Sequence, residues 1–319
     1  MHGRYRYLAG ALCAMALLGA ATGAQAAWPE RPITLVVPFP PGGTTDMVGR
    51  PLAQALSKQL GQPVIVDNRS GAGGTIGAAD AARAKDGGYT LFLATIAHTI
   101  APSTYEHLPY DFQKDFAPVT TIASSPNILI VNKKLPVKSV EDLVKYAKAH
   151  PGELNYGSAG IGSTEHLAGE LFKRTAHIDI QHVPYKGGAP MMSDLMGGQI
   201  QMALETSGSA IAQVRAGTVT ALGVSSPKPS PFFPGIPAID ESGVPGYTFE
   251  TWYGLMAPAD TPADAQARLY QATVQALKSP EMQQVMKTIG AQAGGEPSAE
   301  FGQFIASQTR KWHDILKGG

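Results

Sequence analysis

Short apolar runs alternate with longer segments of helical periodicity along most of the chain. Seven runs predict β-strands, at residues 33–37, 64–66, 90–94, 128–131, 178–183, 200–204 and 220–224. Several of these runs are continuously apolar, which is typical of parallel strands buried on both faces. The alternation predicts an α/β fold with open, parallel-rich sheets, in which ligands bind at the carboxyl ends of the strands.

Helix start and stop signals lie between and after these strands. Ser139, with Asp142 three residues later, predicts an N-cap, and Thr261-Pro262 and Ser279-Pro280 predict two more helix starts. Gly290 is placed to end the helix that begins at Ser279-Pro280. A final helix with an apolar face closes the chain.

The first 26 residues are of a different kind. Arg4 and Arg6 precede an apolar run at 8–21, and Ala24-Gln25-Ala26 supplies the small residues that signal peptidase requires. We predict a cleavable signal peptide at 1–26 and an exported, periplasmic mature protein. No later stretch approaches the roughly 20 apolar residues of a membrane-spanning helix.

Composition and charge exclude several function classes. Hydrophobic residues make up 44% and charged residues 16%, and 25 basic residues balance 25 acidic ones, so a nucleic-acid partner is not expected. The only cysteine, Cys13, lies in the leader. The mature chain therefore has no disulfide, no thiol nucleophile and no thiolate metal ligand.

Enzyme signatures are missing. The sequence contains no nucleophile elbow, no P-loop and no His-Glu-x-x-His zinc motif. Residues 71–77 approximate a dinucleotide-binding fingerprint, but Ile76 occupies the position of its third glycine. We therefore predict a binding protein that is not an enzyme and has no metal, no cofactor and no catalytic residue.

Three turns rich in glycine and hydroxyl residues stand where strands are expected to end, at 38–46, 68–74 and 156–164. Backbone N–H groups in such turns, together with the positive end of a helix dipole, bind anions without a cationic side chain. One such turn is equally explained by glycines that only permit a tight connection. Three at matching strand ends favour a site for a carboxylate.

Motifs along almost the whole mature chain resemble those of the Bug family, the extracytoplasmic solute-binding proteins of tripartite tricarboxylate transporters. They are VPFPPGGTTD (37–46), VDNRSGAGGTIG (66–77), GYTL (88–91), LPYD (108–111), DFAPV (115–119), LNYGSAGIGS (154–163), HVPYKG (182–187) and PADTP (258–262).

The resemblance implies a type II periplasmic-binding-protein fold with two α/β domains, at 27–122 plus 251–319 and at 123–250. Hinge crossings would lie near 124–126 and 249–253. It implies a monomer that captures a dicarboxylate, tricarboxylate, acidic amino acid or aromatic acid by domain closure and delivers it to the membrane subunits of the transporter. The alternatives are a sensory protein that presents its ligand to a membrane kinase, and, less favoured, an exported hydrolase.

The resemblance also implies the ligand-binding residues. One domain would contribute Phe39, Gly42, Gly43, Thr44 and Thr45, with Thr95 and His98 at the floor of the cleft. The other would contribute Ser158, Gly160, Gly162, Ser163 and Thr164, together with His182, Tyr185, Glu205 and Thr206. For His98 and His182 the alternative is a structural imidazole that faces the core.

Two positions depart from the family pattern. Glu205-Thr206 stands where many relatives have Asp-Asn, and a carboxylate there would repel a dianionic ligand unless it meets an ammonium group, a ligand hydroxyl or a protein donor. Pro51 lies where the helix after Thr45 should already be running. That helix either starts near Arg50 or is kinked at Pro51.

Overall fold

The computed structural model describes residues 28–317, so the predicted signal peptide lies outside the described residues. Strands and helices alternate through most of this range. The strands are β1 (Ile33–Val37), β2 (Val64–Asn68), β3 (Thr90–Thr95), β4 (Phe116–Asn132), β5 (Asn155–Ser158), β6 (Gln181–Pro184), β7 (Met202–Thr206), β8 (Val219–Val224), β9 (Glu250–Pro258) and β10 (Gln292–Ala293). The α-helices are α1 (Thr44–Leu60), α2 (Thr75–Ala82), α3 (Ile96–Thr104), α4 (Val140–Ala149), α5 (Thr164–Ala176), α6 (Gly188–Gly197), α7 (Ser207–Arg215), α8 (Ala263–Leu277), α9 (Pro280–Ile289) and α10 (Ser298–Lys317).

The strands form a mixed sheet in the order β2-β1-β3-β9-β4-β7-β5-β6, and β8 and β10 also pair with β4. β1 is parallel to β2 and β3, and β5 is parallel to β6 and β7. The central strands β4 and β9 are antiparallel to each other. The predicted α/β class with a parallel-rich sheet is confirmed.

The long strand β4 links the two parts of the sheet. It runs beside β9 from the pair Phe116 and Pro258 to the pair Pro126 and Glu250. From Asn127 onward it pairs instead with β7 and β8. The predicted domain boundaries after residues 122 and 250 therefore fall inside β4 and β9.

Strand β3 shows why the strand sequences are continuously apolar. Leu91 and Leu93 pack with residues of α1, α8 and α9 on one face of the sheet. Phe92 and Ala94 pack on the other face with residues of α2, α3 and α10. Because alternate side chains point to opposite faces, a strand covered on both faces has no solvent-facing position for polar residues.

The local helix signals are confirmed. The Ser139 hydroxyl accepts a hydrogen bond from the amide of Asp142 at 3.0 Å, and the Ser279 hydroxyl accepts one from the amide of Met282 at 3.3 Å. Gly290 ends α9 with φ of 62°, the left-handed conformation that glycine adopts without strain.

Other predicted bounds were wrong. Helix α1 begins at Thr44 and runs through Pro51, so it does not start near Arg50. The strand expected at 178–183 begins only at Gln181, although Ile178 and Ile180 are buried before it. β5 and β9 were not predicted as strands. Asn, Gly and Ser occupy three of the four positions of β5, so its sequence has the composition of a turn.

Candidate functional site

Four helix N-termini surround a cavity of about 70 Å³. Its walls come from the start of α1, the start of α5, the start of α6, the junction of β7 with α7, and β9. The lining residues are Phe39, Pro40, Pro41, Gly43, Thr44, Thr45, Ala159, Thr164, Glu165, Lys186, Gly187, Gly188, Ala189, Pro190, Glu205, Thr206, Ser209 and Tyr253. Helix N-termini present unpaired amides and partial positive charge, so the arrangement favours an anion.

The start of α1 presents its backbone to the cavity. Gly43 is the N-cap residue, and within residues 28–317 no side chain caps the helix there. The Asp46 carboxylate stabilises this turn. It accepts hydrogen bonds from the amide of Gly42 at 3.0 Å, from Nε of Arg50 at 2.9 Å and from Nδ2 of Asn68 at 3.0 Å. Burial would raise the pKa of Asp46, but these bonds outweigh it and lower the pKa.

The start of α5 carries a buried acid. Ser163 is the N-cap residue, and its hydroxyl accepts from the amide of His166 at 3.4 Å. Glu165 is 7% exposed and lines the cavity. Burial raises the pKa of Glu165. Its own amide, the Ser163 hydroxyl and the Ala159 amide are close enough to stabilise the carboxylate, and they offset part of this increase in pKa.

A second buried acid ends β7. Oε1 of Glu205 accepts from the amide of Thr206 at 2.8 Å and from the Thr206 hydroxyl at 2.7 Å. Oε2 receives no hydrogen bond from any residue between 28 and 317. Burial, followed by the negative charge of Glu165, raises the pKa of Glu205 to about 8. The two carboxyl groups therefore form a pair that holds a proton near neutral pH.

Two further polar groups line the cavity. The Tyr253 side chain is 1% exposed, and its hydroxyl has no partner in the described part of the chain. Burial, together with the nearby charges of Glu165 and Glu205, raises the pKa of Tyr253. Lys186, on the exposed turn before α6, is the one basic side chain among the described lining residues.

The structure brings together seven of the residues predicted for the site, which all line this cavity: Phe39, Gly43, Thr44, Thr45, Thr164, Glu205 and Thr206. Gly42 lies in the same turn with φ of 87°. Gly160 and Tyr185 line an adjoining, more open cavity of about 510 Å³, which shares Phe39, Pro40, Ala159 and Lys186 with the first. The turn at 70–74 also borders that second cavity.

Thr95 and His98 lie outside both cavities, in the core at the start of α3. The amide of Thr95 donates to Nδ1 of His98 at 3.0 Å, so Nε2 carries the proton and faces the carbonyl of Gly74 at 3.4 Å. Burial lowers the pKa of His98 to about 4. This geometry corresponds to the alternative of a structural imidazole.

Four more of the predicted site residues lie outside the cavity lining, namely Ser158, Gly162, Ser163 and His182. Hydrogen bonds at these residues stabilise the turn at 156–164. The Ser158 hydroxyl is 2.7 Å from Nε2 of His182, and the amide of Gly162 donates to Nδ1 of His166 at 3.1 Å. The rings of His166 and His182 stack with centroids 4.1 Å apart. Burial lowers the pKa of His182 to about 4.

Sequence reasoning missed Glu165, Lys186 and Tyr253. An acid in the first turn of a helix is an ordinary feature, so Glu165 carried no distinct signal. Lys186 belongs to the HVPYKG motif and could have been selected from it. Tyr253 lies in a strand that the apolar pattern did not predict.

In residues 28–317, no helix is both long enough and apolar enough to cross a membrane. In the same range, no group of three or more His, Cys, Asp or Glu side chains is placed to hold a metal ion.

Comparison with known proteins identifies a family to which the chain is similar. Residues 48–318 match the family described as tripartite tricarboxylate transporter family receptor, TctC. The structure of the periplasmic binding protein BugD has a TM-score of 0.87 to this chain at 33% identity, covering 91% of this chain and 98% of BugD.

Two further structures carry a named small molecule. An R. palustris protein with adipate has a TM-score of 0.87 at 38% identity, with coverage of 91% of this chain and 97% of that one. MatC from Rhodopseudomonas palustris, with bound malate, has a TM-score of 0.86 at 31% identity, with coverage of 91% and 100%. The predicted periplasmic-binding-protein fold and the Bug resemblance are confirmed, and the chain belongs to the TctC family of tripartite tricarboxylate transporter receptors, which are binding proteins and not enzymes.

Proposed function

We propose that this protein is a periplasmic solute-binding protein that captures a small carboxylate in the cavity at the start of α1 and delivers it to the membrane subunits of a tripartite tricarboxylate transporter. The mature protein would be exported by the signal peptide at 1–26 and act as a monomer. The observation that carries the proposal is the convergence of four helix N-termini on one cavity with a single basic side chain among its described lining residues. Backbone amides and helix dipoles would hold the carboxylate.

Capture would proceed by closure of two domains, at 27–122 plus 251–319 and at 123–250. The cavity walls come from both: Thr44 from the first, and Thr206 and Ser209 from the second. The amide of Ser209 donates to the Thr44 hydroxyl at 3.0 Å, and the Tyr105 hydroxyl donates to the carbonyl of Ile161 at 3.0 Å. Rotation about β4 and β9 would break these contacts and open the site.

The neighbouring structures support the ligand class, since one carries adipate and another malate. Isothermal titration of the mature protein with small carboxylates, including adipate, malate and aspartate, tests the proposal. We expect binding with a dissociation constant that a chelator leaves unchanged. Small-angle scattering should give a smaller radius of gyration at saturation. Absence of binding by every carboxylate would reject the function, and an unchanged radius would reject closure.

The Lys186→Gln variant tests whether backbone amides or the lysine side chain anchors the ligand carboxylate. We expect this variant to lose less than about tenfold in affinity, because exposed charges contribute little and the helix N-termini remain. Lys133→Gln, on an exposed position away from both cavities, is the matched control. Complete loss of binding in Lys186→Gln alone would show that the lysine, and not the backbone, anchors the ligand.

A further inference from the structure

The cavity contains two buried polar groups that the chain itself does not satisfy. Within residues 28–317, Oε2 of Glu205 has only the Glu165 carboxyl beside it, and the Tyr253 hydroxyl, close to Thr44, makes no well-formed hydrogen bond; both side chains are 1% exposed. Unsatisfied buried polar atoms are costly, so they mark places where a ligand supplies the missing partner. When Glu205 is ionised, Oε2 can only accept hydrogen bonds, so it requires a donor.

Glu165 changes what the turn at 156–164 offers to a ligand. The Glu165 carboxyl lies against the amide of Ala159, its own amide and the Ser163 hydroxyl. These are the groups of the turn that would otherwise bind an anion. The chain therefore places its own carboxyl group in this turn, and on that side the ligand meets an acid. The amides at the start of α1 remain open to the carboxylate of the ligand.

We propose that the ligand carries a protonated amino group together with its carboxylate, so that it is an amino acid held as a zwitterion. Its carboxylate would lie at the start of α1, and its ammonium group would donate to Glu165, to Oε2 of Glu205 and to the Tyr253 hydroxyl. This inference rests on the proposed function of the cavity as the ligand site.

Charge balance favours the ammonium group over a second carboxylate. Glu165 and Glu205 share a proton near neutral pH and so carry one negative charge, which one ammonium group neutralises. A dicarboxylate would bring two more negative charges to the same place. The other charged or titratable groups among the described lining residues are Tyr253 on β9, which stays neutral, and the exposed Lys186 before α6.

Groups further from the pair are already engaged. Asp46 on α1 is bonded to Arg50 and Asn68. The rings of His166 and His182 stack on each other outside the cavity lining, and burial lowers the pKa of both. Among the described residues, the acid pair therefore sets the charge of this end of the cavity.

Matched ligand pairs that differ only in the amino group test the inference. Titration at pH 7 would compare aspartate with succinate, 2-aminoadipate with adipate, and alanine with propionate. We expect the amino-bearing member of at least one pair to bind about tenfold or more tightly than its partner. Equal or tighter binding of the amine-free member in every pair that binds overturns this inference and leaves the proposed function in place. Binding by no carboxylate overturns both.

Glu205→Gln and Glu165→Gln show whether the acid pair causes the preference. We expect the affinity ratio between the members of a pair to fall toward one in each variant, because an amide carries no charge to meet the ammonium. Glu241→Gln, at an exposed position, is the control and should keep the wild-type ratio. Circular dichroism melting would verify that each variant is folded. An unchanged ratio in both folded variants overturns the assignment of the pair.

The direction in which ligand affinity changes with pH is an independent test of the inference. The acid pair loses its shared proton as the pH rises toward the Glu205 pKa of about 8, which adds a second negative charge beside the ammonium group, so the affinity of the amino-bearing ligand should rise between pH 6 and pH 8. A dicarboxylate bound to protonated acids would show the opposite slope. A fall in affinity of aspartate or 2-aminoadipate over this range contradicts the inference.

Discussion

The hydroxyl groups of Thr44 and Thr206 lie 2.8 Å apart across the cavity, although 162 residues separate them in the sequence. Thr206 donates its proton to Glu205, so it must accept from Thr44. Thr44 then accepts from the amide of Ser209 at 3.0 Å. A directed chain of hydrogen bonds thus joins the starts of α1 and α7 to the buried acid at the end of β7.

Thr44→Val should break this chain without changing side-chain volume. We expect the free energy of unfolding to fall by about 1–3 kcal/mol, because Thr206 and Ser209 lose a buried partner. Urea unfolding measures the change. Thr288→Val is the control, since that exposed hydroxyl bonds only within its own helix, and its effect should stay within about 0.5 kcal/mol. Equal stability of Thr44→Val and wild type would show that the chain of bonds contributes nothing.

Gly43→Val tests the carboxylate site at the start of α1. Its φ is −81°, and a Cβ there would approach only the Pro40 carbonyl, at 3.9 Å, so the variant should fold normally. The added bulk should block the amides and weaken binding of the tightest carboxylate found by titration by about tenfold or more, the loss expected for hydrogen bonds to a charged group.

Gly197→Val is the matched control for Gly43→Val, because it also has open space around its Cβ position and lies outside the cavity. It should bind like the wild type. Normal binding by Gly43→Val would contradict the placement of the carboxylate. Gly162 is unsuited to this test, since its φ is 80° and a Cβ would come within 2.9 Å of the Tyr105 hydroxyl.

His98 should remain neutral well below the usual range of histidine. Its folded pKa of about 4 lies below the ordinary histidine value of 6.5, so the unfolded chain binds the proton first as the pH falls. The contribution of His98 to stability is therefore complete above pH 6.5 and declines as the pH falls toward 4, by about 3 kcal/mol in total.

Histidine ring signals in proton NMR measure this directly. We expect the His98 signal to stay unchanged from pH 8 to pH 5.5, with the exposed ring of His107 as the comparison in the same spectrum. A midpoint for His98 near 6.5 would show that its ring is accessible to solvent and that the cap at the start of α3 opens readily.

Glu205→Gln should stabilise the protein at alkaline pH. The folded pKa of Glu205, about 8, lies above its usual value of 4.5, so its contribution to stability is complete below 4.5 and is lost as the pH rises through 8. An amide does not ionise and avoids this loss. Thermal melting at pH 6 and pH 9 should show a smaller decrease for Glu205→Gln than for wild type, while Glu241→Gln should decrease like the wild type. Parallel decreases in all three proteins would show that Glu205 does not titrate in this range.

Much of the local structure could be predicted from the sequence because short-range interactions decide it. The hydroxyls of Ser139 and Ser279 bond to amides three residues away. Gly290 ends α9 because glycine adopts positive φ without strain, whatever packs around it. The turn at 38–46 was selected for the same reason, since a glycine-rich turn before a helix presents its amides whatever packs around it.

The amino-acid sequence alone determined the α/β class, most of the strands and helices, the family resemblance and the turns that surround the cavity. Tertiary structure alone decided that Glu165, Glu205 and Tyr253 meet in that cavity while Thr95 and His98 lie in the core. The physical reason is distance along the chain: α5, β7 and β9 come together through a sheet order that no short segment encodes. Whether a buried carboxyl finds a donor depends on those long-range neighbours, and so does its pKa.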